Sequence, residues 1–117
     1  MGSARSVGLR GEELALSFLS GLGYHLLEKN YRCRLGEIDL IMKDGQNLVF
    51  IEVKTRRSDS YGAPQEAVGP LKQAKIRKLA CYYLMTKGIR EQQVRFDVVA
   101  IRFGGGKYHI EHLKGVF

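Results

Sequence analysis

A chain of 117 residues, 44% of them hydrophobic and 26% charged, has the size and composition of one globular domain with its own core. Its longest apolar runs fall far below the ~20 residues that span a bilayer, and its first residues lack the apolar stretch of a secretory signal. Neither a membrane segment nor export is therefore expected. The formal net charge of +7 favours a polyanionic partner, although a basic surface without a binding role would carry the same charge.

The two cysteines, Cys33 and Cys81, are isolated and lack the spacing of a structural zinc site. They are typical of reduced thiols, and we expect a cytoplasmic protein. His109 and His112 lie three apart in a predicted strand, where odd spacing sends side chains to opposite faces. A metal site built on these histidines is therefore not expected.

The first half of the chain predicts one helix and three strands. Apolar residues recur at helical spacing from Leu9 to Leu22, where two glycines end the helix, and Tyr24 to Tyr31 predicts the first strand. Two segments of alternating residues, 37–42 and 48–54, follow on either side of an Asp44-Gly45 turn. This pattern is typical of a β-hairpin.

The second half predicts a loop, a helix and two more strands. The loop runs from Thr55 to Gly69, and the apolar stripe of a second helix runs from Pro70 to Thr86. Val94 to Phe103 and Lys107 to Leu113 predict the last two strands. The order α-β-β-β-α-β-β predicts one α/β domain over residues 1–117, with a mixed sheet flanked by helices.

The predicted hairpin brings acidic residues together. If Asp44-Gly45 forms a two-residue loop, Asp39 faces Phe50 and Glu37 faces Glu52, all on one face. The opposite face is apolar and consists of Ile38, Leu40, Met42, Val49, Ile51 and Val53. A three-residue loop would put Asp39 on the other face, so the arrangement depends on the turn.

The acidic face favours a metal site. Carboxylates on adjacent strands of a covered sheet repel each other and lose hydration, which favours a cation between them. Oxygen ligands with water and a substrate phosphate suit Mg²⁺ or Mn²⁺. Lys54 shares this face, two residues beyond Glu52. An exposed polar sheet surface with Glu-Lys cross-strand pairs would give the same pattern, and the residues alone leave both interpretations open.

Two segments carry a family resemblance: Gly36-Glu37-Ile38-Asp39-Leu40-Ile41 and Val49-Phe50-Ile51-Glu52-Val53-Lys54-Thr55-Arg56. They resemble the D…(D/E)-x-K signature of PD-(D/E)XK nucleases, although Ile38 stands where the signature has proline. Gly8, Gly11 and Glu12, together with Arg95-Phe96-Asp97-Val98, extend the resemblance over nearly the whole chain to the small bacterial YraN-like family. The resemblance implies a restriction-endonuclease-like fold, similar to that of archaeal Holliday-junction resolvases.

By this resemblance, Asp39 and Glu52 bind the metal while Lys54 positions the attacking water or stabilises the negatively charged transition state. Glu12, at the flank of the buried stripe of the first helix, is expected as an accessory acid and third metal ligand. An acid favoured by the helix dipole is the alternative for Glu12. Glu37 ranks below these residues, as a supporting base or an exposed strand residue.

The residues expected to contact nucleic acid surround this centre. They are Arg56, Arg57, Lys72, Gln73, Lys75 and Tyr61, which offer phosphate contacts, a helical amide and a ring that stacks on an unpaired base. Lys72 starts the core-facing side of its helix, so its stem can also pack there while its ammonium group reaches water. Asp97 is expected to order its strand by pairing with Arg95 or Arg56.

These expectations lead to a metal-dependent endonuclease that acts on DNA rather than RNA, on branched or damaged structures. A non-catalytic nucleic-acid-binding module on the same fold is the alternative. A third class is an interaction protein that uses the apolar sheet face and Val116-Phe117 as a partner surface. The sequence leaves the oligomeric state open.

Overall fold

The structure is a computed structural model that describes residues 4–57 and 68–117, with side chains from residue 10 onward. Its elements are α1 (Ala4–Gly21), β1 (His25–Cys33), β2 (Gly36–Asp44), β3 (Asn47–Arg57), α2 (Pro70–Lys87), β4 (Gln93–Gly104) and β5 (Lys107–Leu113). The predicted order α-β-β-β-α-β-β is confirmed. In the described ranges, no helix is both long and apolar enough to cross a membrane.

The five strands form one mixed sheet in the order β1-β2-β3-β4-β5. Strands β3 and β4 are parallel, whereas the other neighbours are antiparallel. A parallel pair requires a long crossover, which includes α2 here. Gly88 ends α2 with φ of 65°, and its N–H bonds to the carbonyl groups of Leu84 and Met85.

The turn between β2 and β3 lies one residue later than the sequence predicted. Asp44 pairs with Asn47, so Gly45 and Gln46 form the two-residue loop. The facing pairs predicted from the sequence, Asp39 with Phe50 and Glu37 with Glu52, are therefore wrong. Contacts from distant residues stabilise this turn, because Arg95 Nη1 donates to Asp44 Oδ2 at 2.9 Å and Gln92 Nε2 donates to the Gln46 carbonyl at 2.6 Å.

The register moves by two residues, and a two-residue shift keeps each side chain on its own face. Leu40, Met42, Val49 and Ile51 pack with Ala15 and Leu19 of α1, as the predicted apolar face requires. Ile41, Leu48 and Phe50 pack on the opposite face with Leu79, Ala80 and Tyr83 of α2. The sheet is therefore covered on both faces.

Ile38 was predicted on the same face as Leu40 and Met42, but it lies on the opposite face, in the cluster packed against α2. The ladder between β2 and β3 ends at Leu40 and Ile51, and beyond it the Val53 N–H donates to Asp39 Oδ2 at 2.8 Å. Without ladder pairs to β3, strict alternation along β2 is lost at this point. The strands therefore open at Asp39, which makes room for a polar site.

The partner surface considered from the sequence is used within the chain. The Val116 N–H bonds to the Phe96 carbonyl, and the Phe117 ring stacks on Phe96 with centroids 5.1 Å apart. The apolar sheet face is covered by α1. Both surfaces therefore pack within the chain, and Val116 and Phe117 stay only partly exposed.

Gly11 is a point of close approach between α1 and β3. A Cβ atom at this position would lie 1.9 Å from Thr55 Cγ2, a distance that forces the Thr55 side chain or the backbone of one element to shift. We expect Gly11→Ala to lower the free energy of unfolding by about 1–3 kcal/mol. Urea denaturation measures the change. Gly21→Ala is the control in the same helix, because no atom lies within 4 Å of its Cβ position. Equal stability of both variants would contradict this close packing.

Candidate active site

The opening between β2 and β3 brings Asp39 and Glu52 together. Continuing the register of Leu40 and Ile51 by one residue places Asp39 opposite Glu52. The two carboxyl groups influence each other's pKa, and the Glu52 side chain is only 6% exposed. The acidic pair thus consists of a buried Glu52 and a half-buried Asp39, unlike the exposed polar sheet surface considered from the sequence.

The pKa values of both carboxyl groups are raised. Burial and the neighbouring Asp39 raise the pKa of Glu52 to about 7. Burial also raises the pKa of Asp39, while the Val53 N–H and the hydrogen bond from Glu52 oppose that rise. The interaction with Asp39 raises the pKa of Glu52, whereas the hydrogen-bonding contribution of Glu52 lowers that of Asp39. Glu52 thus retains its proton to a higher pH than an exposed carboxyl group does.

Two lysines lie beside the acidic pair. Lys72 of α2 places its Nζ atom 3.5 Å from Glu52 Oε2. The charge of Lys54, on β3, lowers the pKa of both Asp39 and Glu52 and therefore acts on the whole pair. The core-facing position predicted for Lys72 is consistent with this contact. Its ammonium group points to a buried carboxylate and not only to water.

Glu12 reaches the pair from the side of α1. Burial and the charge of Asp39 raise the pKa of Glu12, and a hydrogen bond with Asn30 opposes the rise. Glu12 is thus within electrostatic reach of Asp39, but no three His, Cys, Asp or Glu side chains of the described residues form a group that could hold a metal ion. The predicted three-carboxylate ligand set is not assembled in this structure. Glu37 pairs instead with Arg32, at 3.3 Å.

The donor chemistry of the acidic pair fits a hard divalent cation. Mg²⁺ is commonly held by one or two carboxylates, with water and substrate oxygens completing its coordination. Asp39 and Glu52 are such a pair, and burial is the largest cause of their raised pKa values, an effect that a bound cation would oppose. These two residues would hold Mg²⁺ or Mn²⁺, and Glu12 would add negative potential from the α1 side.

The raised pKa of Glu52 predicts a pH-dependent stability that Glu52→Gln removes. The folded pKa of Glu52, about 7, lies above its ordinary value of 4.5. The stability that the proton of Glu52 contributes is therefore fully present below pH 4.5 and is lost as the pH rises towards 7. The glutamine side chain keeps a hydrogen-bond donor for Asp39 but carries no charge at any pH. In EDTA, we expect the variant to gain on the order of 2 kcal/mol over the wild type near pH 8, and much less near pH 5.

Urea denaturation at the two pH values tests this expectation. Glu13→Gln is the control, because Glu13 follows Glu12 in α1 but is exposed. The same difference between Glu52→Gln and wild type at both pH values would show that Glu52 does not titrate in this range.

The predicted nucleic-acid contacts lie in different places. Lys72 and Lys75 line a cleft beside the acidic pair, together with Arg32, Cys33, Gly36 and Glu37. Gln73 uses its side-chain amide within the fold, where Nε2 donates to the Val68 carbonyl at 3.1 Å. Arg56 and Arg57 lie at the end of β3, paired in register with Arg102 and Phe103 of β4. Tyr61 lies outside the described residues.

Asp97 is the centre of a second buried polar cluster, away from the acidic pair. It accepts hydrogen bonds from Arg95 Nε at 2.9 Å, Arg95 Nη2 at 3.0 Å and the Gly115 N–H at 3.0 Å, and it lies 2.7 Å from His112 Nε2. Burial alone would raise the pKa of Asp97, but the bonds with His112 and Arg95 hold it below its ordinary value. Of the two predicted partners, the structure shows Arg95.

Comparison with known proteins places the chain in a family. Residues 11–101 match the profile of the "Uncharacterised protein family UPF0102". A UPF0102 protein of Syntrophus aciditrophicus is 51% identical over 110 residues, which cover 94% of this chain and 87% of the relative. A UPF0102 protein of Moorella thermoacetica is 44% identical over 119 residues, covering 97% and 96% of the two chains. As the resemblance to the YraN-like family implied, the chain belongs to the UPF0102 family.

Proposed function

We propose that this protein is a metal-dependent endonuclease that hydrolyses phosphodiester bonds in DNA. The observation that carries the proposal is the pair formed by buried Glu52 and half-buried Asp39, whose pKa values are raised and which lies within the fields of Lys54 and Lys72. Such a pair is costly to bury, and perturbed carboxyl groups of this kind cluster at functional sites. A cytoplasmic location is part of the proposal.

Each residue has a defined task. Asp39 and Glu52 would bind Mg²⁺ or Mn²⁺, which in bound form lowers the pKa of water and neutralises charge on the scissile phosphate. Lys54 stabilises the negative charge that develops on the phosphate during attack. Lys72 holds the Glu52 carboxylate from the side of α2. Glu12 supports the site electrostatically from α1.

The surface around the pair favours nucleic acid as the substrate. Lys75 lies with Lys72 and Arg32 in the adjacent cleft, and Arg56 follows Lys54 by two residues on β3. An acidic centre with a basic border suits a phosphodiester, because the border attracts the backbone while the centre is left for a cation. Branched or damaged DNA is the proposed substrate class.

Cleavage of a defined DNA panel tests the proposal. Linear, flapped and four-way substrates are incubated with the protein and Mg²⁺, Mn²⁺ or EDTA, and products are resolved on denaturing gels. We expect cleavage of at least one substrate with a divalent metal and none with EDTA. Cleavage that persists in EDTA would overturn the metal-dependent mechanism.

A non-catalytic nucleic-acid-binding module is the second candidate. It is favoured by the contact of Lys72 with Glu52, because a lysine already supplies positive charge to the acidic pair. Binding of the DNA panel without cleavage by either metal would support this candidate over the nuclease.

The basic border predicts salt-dependent binding. Arg56→Ala and Arg57→Ala should each weaken affinity for all DNA sequences alike, and each should lower the slope of log affinity against log salt by about one if it contacts one phosphate. Fluorescence anisotropy over a salt series measures both quantities. Arg90→Ala is the control, since Arg90 is exposed just before β4, far along the sheet from the end of β3. An unchanged slope in both variants would exclude Arg56 and Arg57 as phosphate contacts.

A further inference from the structure

The outer side of α2 carries a second apolar stripe, opposite the side that packs on the sheet. The buried side consists of Ile76, Leu79, Ala80 and Tyr83. On the outer side, apolar residues recur at spacings of three and four, which place them along one face of the helix. They are Leu71, Ala74, Cys81, Tyr82 and Met85. A helix needs only one apolar side to pack on its own sheet, so the fold does not account for the outer stripe.

Within the described residues, two grooves lie along this stripe, beside the turn that joins β1 to β2. The first is lined by Leu35 of the turn and by Lys78, Cys81, Tyr82 and Met85 of α2. The second is lined by Leu35, Leu71, Ala74, Lys75 and Lys78. Because both contain Leu35 and Lys78, they form one continuous surface, which we call the α2 groove. From position 71 to position 85 it extends about 21 Å along the helix, or about four helical turns.

The α2 groove exposes large apolar side chains to water. Leu71 is 90% exposed, Met85 79% and Leu35 38%. Between Leu71 and Met85, the smaller side chains of Ala74 and Cys81 leave hollows in the stripe. Alternating large and small residues accept the projecting side chains of a facing helix. A lipid surface gains nothing from such hollows, so the shape favours a protein partner.

The charged residues that line the α2 groove are all basic. The described lining residues include no acid, and the bases are Arg34, Lys75, Arg77 and Lys78. A second copy of this chain would present the same cations in a twofold interface, and like charges in contact disfavour association. DNA phosphates would pair with the cations but would offer no apolar partner to Leu71 and Met85. The pattern therefore selects a partner that is both acidic and apolar.

We propose that the α2 groove binds an acidic amphipathic helix of a partner protein. Apolar residues at i, i+3, i+4 and i+7 of that helix enter the hollows at Ala74 and Cys81, which is the helix-in-groove mode of recognition. Glu or Asp residues on its flanks pair with Arg34 and Lys78. Because these cations lie at the surface, the affinity falls as the salt concentration rises.

The α2 groove adjoins the cleft beside the acidic pair. Lys75 lines both the groove and the cleft. The segment from Cys33 to Gly36 contributes Arg34 and Leu35 to the groove and its two end residues to the cleft. A helix in the groove therefore brings a partner protein to the edge of the proposed DNA cleft. The docking itself does not depend on nuclease activity.

Selection from a helix library tests the groove. The displayed helices have about 18 residues, with varied apolar residues along one face and Glu or Lys at each flanking position, and they are selected on the wild-type protein in EDTA. We expect the enriched helices to carry Glu at most flanking positions. Fluorescence anisotropy of a labelled, enriched peptide then gives its affinity for each variant.

Two exposed residues at opposite ends of the groove locate the binding. Leu71→Asp and Met85→Asp should each weaken the affinity for the enriched peptide about ten-fold or more, since each removes an apolar contact and adds a repelling charge. Both should keep the wild-type midpoint in urea denaturation, because both side chains are largely exposed. Leu22→Asp is the matched control. It adds the same charge at a 54% exposed leucine just beyond the end of α1, on the other face of the sheet.

The other occupants have distinct signatures. Enrichment of Lys at the flanks, or an equal loss of affinity in Leu22→Asp, would overturn the proposal. So would dimerisation in analytical ultracentrifugation, or co-sedimentation with phosphatidylglycerol vesicles, that Leu71→Asp abolishes. A similar ten-fold loss of duplex DNA affinity in Leu71→Asp and Met85→Asp, but not in Leu22→Asp, would assign the groove to nucleic acid instead.

Discussion

Glu52→Gln and Lys54→Ala are each expected to lower metal-dependent cleavage by about 10²–10³-fold, while affinity for DNA in EDTA changes less than about two-fold. The basic border supplies the attraction for DNA, so loss of either residue at the centre leaves most of the binding intact. Single-turnover cleavage rates and anisotropy on the same protein samples give the two quantities.

The two variants should lose cleavage activity for different reasons. Glu52→Gln removes a charged ligand and weakens metal binding, so a high Mn²⁺ concentration should restore part of its rate. Lys54→Ala keeps both carboxylates and loses stabilisation of the phosphate charge, so added Mn²⁺ should not restore it. Equal restoration of both variants would place Lys54 in metal binding and contradict its assigned role.

Matched controls keep this comparison specific. Lys43→Ala removes a lysine from β2 that donates to Gln92 Oε1 at 3.0 Å, near the hairpin turn and away from Asp39. Glu13→Gln removes an exposed acid from α1. Both controls should retain the wild-type cleavage rate within about two-fold, because neither residue lies near the acidic pair.

Asp97→Ala is expected to lower the free energy of unfolding by about 3–5 kcal/mol, the largest stability effect anticipated for a single substitution here. Asp97 is fully buried and joins Arg95, His112 and Gly115 at one point. Its removal leaves the Arg95 guanidinium, which is 19% exposed, without its main partner inside the fold. The loss in free energy of unfolding comes chiefly from the Arg95 charge that remains in the fold without this partner.

Urea denaturation near neutral pH measures this loss. The pKa of Asp97 is held below its ordinary value of 3.8, so its contribution is present above that pH and is lost as pH falls. The wild type and Asp97→Ala should therefore converge in stability in acid. A loss below about 1 kcal/mol near neutral pH would show that the cluster adds little to stability. Asp44→Ala, which removes an outer partner of Arg95, should cost less, because Asp44 is 32% exposed.

The two faces of the hairpin were predictable because the side-chain period of a strand is two residues. The predicted turn was off by one residue, yet the register moved by two, so Glu52 and the apolar residues other than Ile38 stayed on their predicted faces. The facing pairs were not predictable. They depend on contacts of Asp44 and Gln46 with Arg95 and Gln92, which lie far along the chain and leave no local signal.

Contacts between residues on distant strands also could not be predicted from the sequence. Arg102 lies beside Arg56 only because β3 and β4 align in parallel, and no short turn fixes that register. His112 was placed correctly in a strand, but its contact with Asp97 spans β4 and β5 within a folded core. Asn30, which bonds with Glu12, has φ of 54°, a conformation that asparagine tolerates but does not require.

Calorimetric titration of the apo protein with Mn²⁺ tests the central claim, that Asp39 and Glu52 form a divalent-metal site, most directly. At about pH 6, Glu52 still carries most of its proton, since its pKa is about 7, and a bound cation should displace it. Heats measured in buffers of different ionisation enthalpy give the number of protons released. We predict one saturable site that releases up to about one proton in the wild type and in Glu13→Gln, and release that disappears in Glu52→Gln. Saturable Mn²⁺ binding that is identical in wild type and Glu52→Gln, or no binding at all, would contradict the metal site.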